Sequence, residues 1–441
     1  MRTVAIVGRP NVGKSTLFNR IVGGRPAIVD SRPGVTRDVH VAEAEWAGRR
    51  FYVVDTGGIV EGGGDEMEEA IRRQAMGAIE NADVIVLVVD GREGIHPLDE
   101  HIAQILRERE ARTVLVVNKL DRMPETSAQY EFYALGLGEP MPLAAISGKG
   151  SGDVLDRIVD VLPPEVEDAT REGALRLAVV GRPNVGKSSF INRVLGVERL
   201  VVSREPGTTR DAVDTSWEYD GRPITFIDTA GLRKRSRVTE ELEYYATVRT
   251  LRAIDRADVC LLLVDASEGV GNQDFRIARR VWDRGRGLVM AVNKWDLVEK
   301  DTHTAARVEK ALRERVPFLE HVPIVFISAL TGQRVHRAID LAQAVGEGRS
   351  RRIETPEVNE VLRALTGRVH PPHYRGRPIK LYYATQARTG PPLFVVWCNF
   401  PREIPKHYVR YLVNGFREAW GFEGSPIRVR FRARSRRRHA G

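Results

Sequence analysis

The segment GRPNVGKS occurs twice in the chain, at residues 8–15 and 181–188. It contains the pattern GxxxxGK[ST], which is typical of a loop that wraps phosphate groups, because its glycines let backbone N–H groups approach negative charge. Each copy follows an apolar run and opens a helical pattern, which places a helix N-terminus beside the phosphates. We expect Lys14 and Lys187 to bridge the β- and γ-phosphates of a nucleotide. Ser15 and Ser188 are expected to bind Mg²⁺ through their hydroxyl groups.

Two further motifs recur at the same offset of 173 residues, PGVTRD against PGTTRD and DTGG against DTAG. Asp55 and Asp228 end apolar strands, where a carboxylate can reach Mg²⁺ through water. Thr36 and Thr209 lie in polar loops, where a hydroxyl completes the Mg²⁺ shell only while the γ-phosphate is present, which gives an order–disorder switch. The last glycine of each DTGG or DTAG motif can present its N–H to the γ-phosphate. These glycines are Gly58 and Gly231.

The motif NKxD follows an apolar strand in each copy, as NKLD and NKWD. We expect Asp121 and Asp296 to accept hydrogen bonds from the N1–H and 2-amino groups of guanine. Adenine lacks these donors and would leave a buried carboxylate unpaired, so the motif predicts guanine specificity. The remaining pocket residues shape or close the base site, with Ser147 matched to Ser328 at an offset of 181. They are Asn118, Lys119, Asn293, Lys294, Ser147, Ser328 and Ala329.

Every predicted nucleotide contact belongs to one of these motifs. In the first copy they are Gly8, Arg9, Pro10, Asn11, Val12, Gly13, Lys14, Ser15, Asp55, Thr56, Gly57, Gly58, Ile59, Asn118, Lys119, Leu120, Asp121 and Ser147. In the second they are Gly181, Arg182, Pro183, Asn184, Val185, Gly186, Lys187, Ser188, Asp228, Thr229, Ala230, Gly231, Leu232, Asn293, Lys294, Trp295, Asp296, Ser328 and Ala329. The catalytic candidates are Lys14, Thr36, Gly58, Lys187, Thr209 and Gly231. The Mg²⁺ candidates are Ser15, Thr36, Asp55, Ser188, Thr209 and Asp228.

One residue of the usual hydrolytic machinery is absent from both copies. Many signalling GTPases place a Gln directly after DxxG to orient the attacking water. Here Ile59 and Leu232 occupy that position, and neither side chain can hydrogen-bond to water. We therefore expect slow intrinsic GTP hydrolysis, unless another group or a cation stabilises the transition state.

Together these are the five motifs of the translation-factor-related GTPases, and the tandem pair with a further C-terminal domain resembles the double Era-like GTPases of bacteria, the Der or EngA family. The resemblance covers essentially the whole chain. It implies a role in late assembly of the large ribosomal subunit, with the nucleotide state controlling domain arrangement and ribosome association. It also implies a C-terminal domain similar to a KH fold. Finally, it implies that Asn11 and Asn184 help to hold a K⁺ ion that stimulates turnover, although an asparagine at this position could simply cap the loop.

The repeat predicts two α/β domains, because each copy alternates strand and helix patterns. The continuous apolar runs at 84–90 and 113–119 are typical of central strands in a mostly parallel sheet flanked by helices. The remaining C-terminal segment reads as a small α+β domain. The predicted boundaries are 1–163 for the first GTPase domain, 164–173 for an acidic linker, 174–349 for the second GTPase domain, 353–433 for the KH-like domain and 434–441 for a basic tail.

Positive charge is concentrated at the C-terminal end. The net charge is +9, and residues 353–441 hold 17 Lys and Arg against 6 Asp and Glu. Such asymmetry predicts a polyanionic partner, which we expect to be ribosomal RNA of the large subunit, with no DNA specificity. The aromatic residues Tyr382, Tyr383, Trp397 and Phe400 are expected in the core. The GxxG at 421–424 follows a helix and contains an acid, so we do not interpret it as an RNA clamp.

Composition restricts the remaining possibilities. No apolar stretch approaches the roughly 18 residues of a membrane span, so we expect a cytoplasmic monomer without stable membrane association. Cys260 and Cys398 lie in apolar strand-like runs, which favours buried, reduced thiols over a disulfide. Three alternatives stay open: a GTPase of tRNA modification, one acting at a membrane surface, and a chain in which one copy only senses nucleotide. The basic run after the second DxxG, at 233–237, could contact RNA or an acidic protein face, or simply be a solvated loop.

Overall fold

The computed structural model describes residues 1–23, 28–29, 40–56, 65–108, 112–121, 129–164, 173–197, 214–229, 243–299 and 301–433. The chain divides into two compact units. The first comprises Met1–Ala169 with Ser236–Arg252, and the second comprises Thr170–Arg235 with Ala253–Gly441. The second copy of the repeat, apart from residues 236–252, therefore shares one unit with the C-terminal segment. The proposed linker and basic tail lie almost wholly outside the described residues.

The first copy of the repeat folds as a sheet between two layers of helices. Its elements are β1 (Arg2–Val7), α1 (Lys14–Val22), β2 (Ile28–Val29), β3 (His40–Trp46), β4 (Arg49–Asp55), α2 (Asp65–Asn81), β5 (Val84–Asp90), α3 (Pro97–Glu108), β6 (Thr113–Asn118), β7 (Met141–Pro142) and α4 (Ser151–Val161). The described strands form one sheet in the order β2-β3-β4-β1-β5-β6-β7, parallel from β4 to β7. Both faces of β5 and β6 are buried in separate cores, which explains their continuous apolar sequences.

The second copy repeats this arrangement. Its elements are β8 (Leu175–Val180), α5 (Lys187–Val197), β9 (Thr215–Tyr219), β10 (Arg222–Ile227), α6 (Glu243–Arg256), β11 (Val259–Asp265), α7 (Asn272–Asp283), β12 (Gly287–Asn293), α8 (Thr304–Arg315), β13 (Ile324–Phe326) and α9 (Val335–Ser350). Its described strands run in the order β13-β12-β11-β8-β10-β9, parallel except for the β9–β10 pair. The α/β prediction is confirmed for both copies. In each sheet the carboxyl ends of the parallel strands meet at the edge that carries GRPNVGKS.

The C-terminal segment forms the predicted α+β domain. It contains α10 (Thr355–Arg368), β14 (His373–Tyr374), β15 (Arg377–Pro378), β16 (Leu381–Arg388), β17 (Leu393–Cys398), α11 (Lys406–Trp420) and β18 (Arg428–Ala433). The sheet order is β16-β17-β18, with β17 and β18 parallel. One face packs on the helices, where the ring of Phe394 lies 4.7 Å from that of Phe416 and 5.3 Å from that of Trp420. The short β14–β15 hairpin was not predicted, and its turn contains Arg375 and Gly376 at positive φ.

The C-terminal domain is joined to the second sheet through backbone hydrogen bonds at Gly424. Leu288 N–H donates to Gly424 O at 2.7 Å, and Gly424 N–H donates to His321 O at 2.7 Å. Gly424 therefore fills the position beside β12 just before β13 begins to pair with it. Gly390 N–H adds a bond to the carbonyl of Arg349, near the end of α9, at 3.0 Å. The GxxG segment is thus an internal joint, in agreement with our expectation that it is not an RNA clamp.

This joint leads to a stability prediction for Gly424→Ala. Gly424 has φ +63°, and a Cβ there would lie 2.6 Å from Val345 Cγ2 and 2.7 Å from Leu288 O. Overpacking and left-handed strain together should lower the free energy of unfolding by about 3 kcal/mol. Urea unfolding followed by tryptophan fluorescence measures the change. Gly376→Ala is the matched control, because Gly376 has φ +74° with nothing within 4 Å, and should cost only about 1 kcal/mol. Equal losses for the two variants would contradict the steric argument.

One prediction about the core is wrong. Tyr382 and Tyr383 are each 41% exposed, and Trp397 and Phe400 are half-buried. The described helices cover only one face of the β16-β17-β18 sheet, and the register shift between Leu381 and Tyr383 turns both tyrosines outward, as bulges do. The cysteine prediction is confirmed, because Cys260 and Cys398 are both free and buried. Among the described residues, no helix has the length and apolar character needed to cross a membrane.

Candidate nucleotide-binding sites

The two GRPNVGKS loops have the same backbone. They connect β1 to α1 and β8 to α5, and Asn11 and Asn184 are left-handed in both, with φ of 64° and 61°. Gly13 and Gly186 have φ of 98° and 96°. A Cβ on Gly13 would lie 2.2 Å from Asn118 Nδ2, and one on Gly186 would lie 2.3 Å from the equivalent atom of Asn293. The loops therefore require glycine at these positions for two reasons, backbone conformation and close approach.

The loop lysines lie inside the cradle. Lys14 Nζ donates to Gly8 O at 2.8 Å and to Arg9 O at 2.7 Å, and Lys187 makes the same two contacts in the second loop. Burial lowers the pKa of Lys14 to about 8, an effect that the nearby Asp55 carboxylate opposes. An anionic phosphate in the loop would favour the charged form of such a lysine.

A buried ion pair, which the sequence motifs did not predict, fixes the start of each loop. Arg9 Nε lies 3.2 Å from Asp99 Oδ2, and Arg182 Nε lies 2.9 Å from Asp274 Oδ1. Both carboxylates are fully buried, Asp99 in the first turn of α3 and Asp274 in the first turn of α7. Burial raises the pKa of each carboxyl group, and its arginine opposes this effect. Comparison of the repeats could have found the pair, because DGREGIHPLD and DASEGVGNQD place Glu and Asp at the same spacing.

The NKxD asparagine links the phosphate loop to the last loop of each site. Asn118 Nδ2 donates to Val12 O at 2.8 Å, and its Oδ1 accepts from Ala145 N at 2.9 Å. Asn293 makes the equivalent bonds to Val185 O and Ala329 N at 2.7 and 2.9 Å. The lysines of the motif form ion pairs with aspartates at the ends of the neighbouring strands: Lys119 with Asp90 of β5, and Lys294 with Asp265 of β11. One asparagine therefore sets the distance between the phosphate and base regions in each copy.

These bonds correct the alignment of the last loop. Ala145 is equivalent to Ala329, because each donates its N–H to the motif asparagine. Ser328 therefore corresponds to Ala144, and not to Ser147 as the matching letters suggested. The N–H of Ala329, which we expected at the base oxygen, donates to Asn293 Oδ1 here. The next residue is a strongly exposed apolar side chain in both copies, Ile146 at 75% and Leu330 at 72%.

The two base-recognition carboxylates have different surroundings. Asp121 lies 3.2 Å from Arg92 Nη2 and accepts a long hydrogen bond from Ser147 Oγ at 3.4 Å. In the second copy the residue equivalent to Arg92 is Ser267, which bonds to Asp265 instead. Asp296 Oδ1 is buried, and among the described residues it has no hydrogen-bond partner. Such an oxygen is costly unless a donor reaches it, and the N1–H or 2-amino group of guanine is a suitable donor.

This difference predicts that Arg92 weakens guanine binding at the first site. Because Arg92 competes for the Asp121 carboxylate in an exposed setting, Arg92→Ser should tighten GDP binding about two- to fivefold. The reciprocal variant, Ser267→Arg, should weaken the second site by a similar factor. Calorimetric titration with GDP, in chains whose other site is disabled, measures each affinity. Looser binding by Arg92→Ser would mean that this arginine contacts the nucleotide itself.

The candidate Mg²⁺ ligands are only partly described. Asp55 is buried at the end of β4, whereas Asp228 has φ 59° and its N–H donates to Asp214 Oδ1 at 3.0 Å. The two aspartates thus have different local contacts. The described residues contain no cluster of three or more His, Cys, Asp or Glu that could bind a metal alone. Several predicted site residues lie outside the described residues: Thr36, Gly57, Gly58, Ile59, Thr209, Ala230, Gly231 and Leu232.

Comparison with known sequence families identifies the same three regions. Residues 3–119 and 176–294 each match the family described as "50S ribosome-binding GTPase". Residues 352–432 match the family described as "KH-domain-like of EngA bacterial GTPase enzymes, C-terminal". These matches contain both phosphate loops, the Asn-Lys pair of both NKxD motifs and nearly all of the α+β domain.

Full-length relatives are also similar. GTPase Der of Gemmatimonas aurantiaca is 52% identical over 98% of this chain and 99% of its own length. GTPase Der of Pelotomaculum thermopropionicum is 50% identical over 98% of each chain. Among solved structures, Era in complex with MgGDPNP and nucleotides 1506–1542 of 16S ribosomal RNA is 20% identical, with a TM-score of 0.31 over 60% of this chain and 93% of its own.

Proposed function

Because the chain belongs to the GTPase Der family and is a GTP hydrolase with two GTPase domains and a KH-like domain, we propose that it acts in late assembly of the large ribosomal subunit. The observation that carries this proposal is the combination of two phosphate loops of one geometry with a strongly basic C-terminal domain. The family matched by both copies is described by its binding to the 50S ribosome. Ribosomal RNA supplies the polyanion that the charge asymmetry requires.

The nucleotide contacts are proposed from the loops and pockets described above. GTP phosphates would bind the backbone of 8–15 and 181–188 with Lys14 and Lys187, and the guanine would pair with Asp121 and Asp296. Ser15 and Asp55 fit Mg²⁺, because Ser15 is exposed at the start of α1 and both side chains offer the oxygen ligands that Mg²⁺ prefers. Mg²⁺ neutralises charge on the β- and γ-phosphates. The roles of Thr36, Gly58, Thr209 and Gly231 as switch residues complete this proposal.

We further propose that the nucleotide state controls how the domains are arranged. The domains would be 1–163, 174–349 and 353–433, with the acidic linker at 164–173 between the first and the second. GTP can shift such an equilibrium only by binding one arrangement more tightly than another. Two sites on one chain would then provide two inputs to a single RNA-binding output.

Association with the ribosome is tested by co-sedimentation. The full-length protein is mixed with separated ribosomal subunits in the presence of a non-hydrolysable GTP analogue, GDP or no nucleotide. We expect association with the large subunit that depends on the nucleotide. Association that is absent, or equal for both subunits and all nucleotide states, would reject the assembly role.

We also propose that K⁺ stimulates hydrolysis through Asn11 and Asn184. Both residues hold the same left-handed backbone, and in both copies the position directly after DxxG lacks the usual water-orienting Gln. Turnover should be several-fold faster in K⁺ than in Na⁺, and the difference should be lost at a site carrying Asn→Gly. Glycine keeps the positive φ, so this variant removes the carboxamide without straining the loop. If stimulation survives in the double Asn11→Gly, Asn184→Gly protein, the asparagines only cap the loop.

A further inference from the structure

The β16-β17-β18 sheet has one face that α10 and α11 do not cover, and the part of it around Tyr383 is exposed, whereas Leu393 and Val395 on the same face are buried. Directly paired residues in neighbouring strands point to the same face. Tyr383 pairs with Trp397, which pairs with Arg432, so these three side chains form a row across the sheet. The next row contains Val395 and Arg430. We call Tyr382, Tyr383, Trp397, Arg430 and Arg432 the aromatic–arginine face.

Aromatic rings on this face are arranged as a flat platform. The rings of Tyr383 and Trp397 are stacked, with centroids 4.4 Å apart and an interplanar angle of 7°. Tyr383 is 41% exposed, and Tyr382 beside it is equally exposed. Exposure of apolar ring surface to water is unfavourable. These rings also do not contribute to the hydrophobic core of the domain, which lies on the other face around Phe394. A nucleobase is a flat partner that could extend such a stack.

Positive charge borders the platform. Arg430 and Arg432 are exposed on β18, and the three strands contain no Asp or Glu. Burial lowers the pKa of Arg428, and the charges of Arg388 and Arg430 add to this effect. Arg428 bonds to Asp283 O, so one end of the arginine row adjoins the second GTPase domain. At the other end, the exposed side chain of Arg432 can contact phosphates.

We propose that the aromatic–arginine face binds an unpaired segment of RNA, with a base stacked on Tyr383 and the phosphates held by Arg430 and Arg432. The proposal rests on the proposed ribosomal function and specifies the kind of RNA that this surface takes. Bases in an A-form duplex are already stacked on each other, whereas unpaired bases can leave the strand and stack on aromatic side chains. An acidic protein segment would satisfy the arginines but would make no use of the ring platform.

Binding is measured with the full-length protein by fluorescence anisotropy, using a labelled unpaired RNA of twelve nucleotides and a hairpin duplex of equal charge. Tyr383→Leu should weaken binding of the unpaired RNA about tenfold, whereas Tyr383→Phe, which keeps the ring, should bind like the unaltered protein. Neither variant should change duplex binding. Arg432→Gln should lower the slope of log affinity against log salt by about 0.7. Its matched control is Arg410→Gln, an exposed arginine on α11, whose helix packs on the opposite face of the sheet.

The outcomes separate this proposal from the ribosomal function. Unchanged binding of unpaired RNA by Tyr383→Leu, or equal losses for single-stranded and duplex RNA, would overturn the stacking role. Competition by polyglutamate that is insensitive to Tyr383→Leu would assign the face to an acidic protein and would also overturn it. If the unaltered protein sediments with large subunits but any of these contradicting results is obtained, only the proposal for the aromatic–arginine face fails. If the face binds RNA as expected but no large-subunit association occurs, the ribosomal function fails and the face remains.

Discussion

Replacing Asp296 by Asn should reduce guanine-nucleotide affinity at the second site by about 10⁴-fold and create a site for xanthine nucleotides. Guanine presents two donors, N1–H and the 2-amino group, to the carboxylate whose buried Oδ1 lacks a partner among the described residues. An asparagine at this position offers one acceptor and one donor, so its amide would face the 2-amino group of guanine, donor against donor. Xanthine carries an oxygen at that position and restores the match.

Calorimetric stoichiometry measures this switch. The unaltered chain should bind two GDP, whereas Asp296→Asn should bind one GDP and one xanthosine diphosphate. Asp121→Asn should switch the first site in the same way. Asp283→Asn is a control, because its exposed carboxylate pairs with Arg279 one turn away on α7, and it should leave both sites unchanged. Two GDP bound per Asp296→Asn chain would show that another residue reads the base.

Alanine at Lys14 or Lys187 should reduce hydrolysis at its own site by about 10²- to 10³-fold. Each ammonium group lies against two carbonyls of its own loop, directly where the phosphates are expected. Its removal deletes a positive charge from the transition state but leaves the backbone cradle. GDP binding should therefore fall much less than turnover.

Phosphate release by each single variant and by the double variant separates the two sites. We expect each single variant to retain only the turnover of the other site, and the double variant to retain almost none. Lys310→Ala is the control, because Lys310 is exposed on α8 beside Glu314. If one single variant keeps the full rate of the unaltered protein, the copy that it alters binds nucleotide as a sensor and contributes no turnover.

Much of this fold could be predicted because the repeat supplied each motif twice. The apolar runs at 84–90 and 113–119 became central strands over almost the same residues, β5 and β6. Burial on both faces demands such continuous apolar sequences. The long helices and strands of the C-terminal domain could be predicted because the apolar residues of each recur with one clear period.

The failures have physical causes of their own. Ser147 and Ser328 are the same residue type but are not structurally equivalent, because the loop length differs between the copies. Only the bonds to Asn118 and Asn293 reveal which residues correspond. The Arg9–Asp99 pair joins residues ninety positions apart, so it appears only when the two repeats are compared and not within one copy. Tyr382 and Tyr383 were expected in the core because strand period does not reveal which face of a sheet the helices cover.

The backbone bonds at Gly424 have a consequence for the order of synthesis. The chain leaves the ribosome with its N-terminus first. The end of the second GTPase domain, at residue 349, therefore emerges about 75 residues before Gly424. Until then the N–H of Leu288 and the carbonyl of His321 lack the partner that completes them in the finished protein. The sheet of the second GTPase domain therefore gains these hydrogen bonds only after Gly424, shortly before β18, has been made. A chain interrupted before that point would carry an intact phosphate loop on an unfinished sheet, and would expose this defect to proteases.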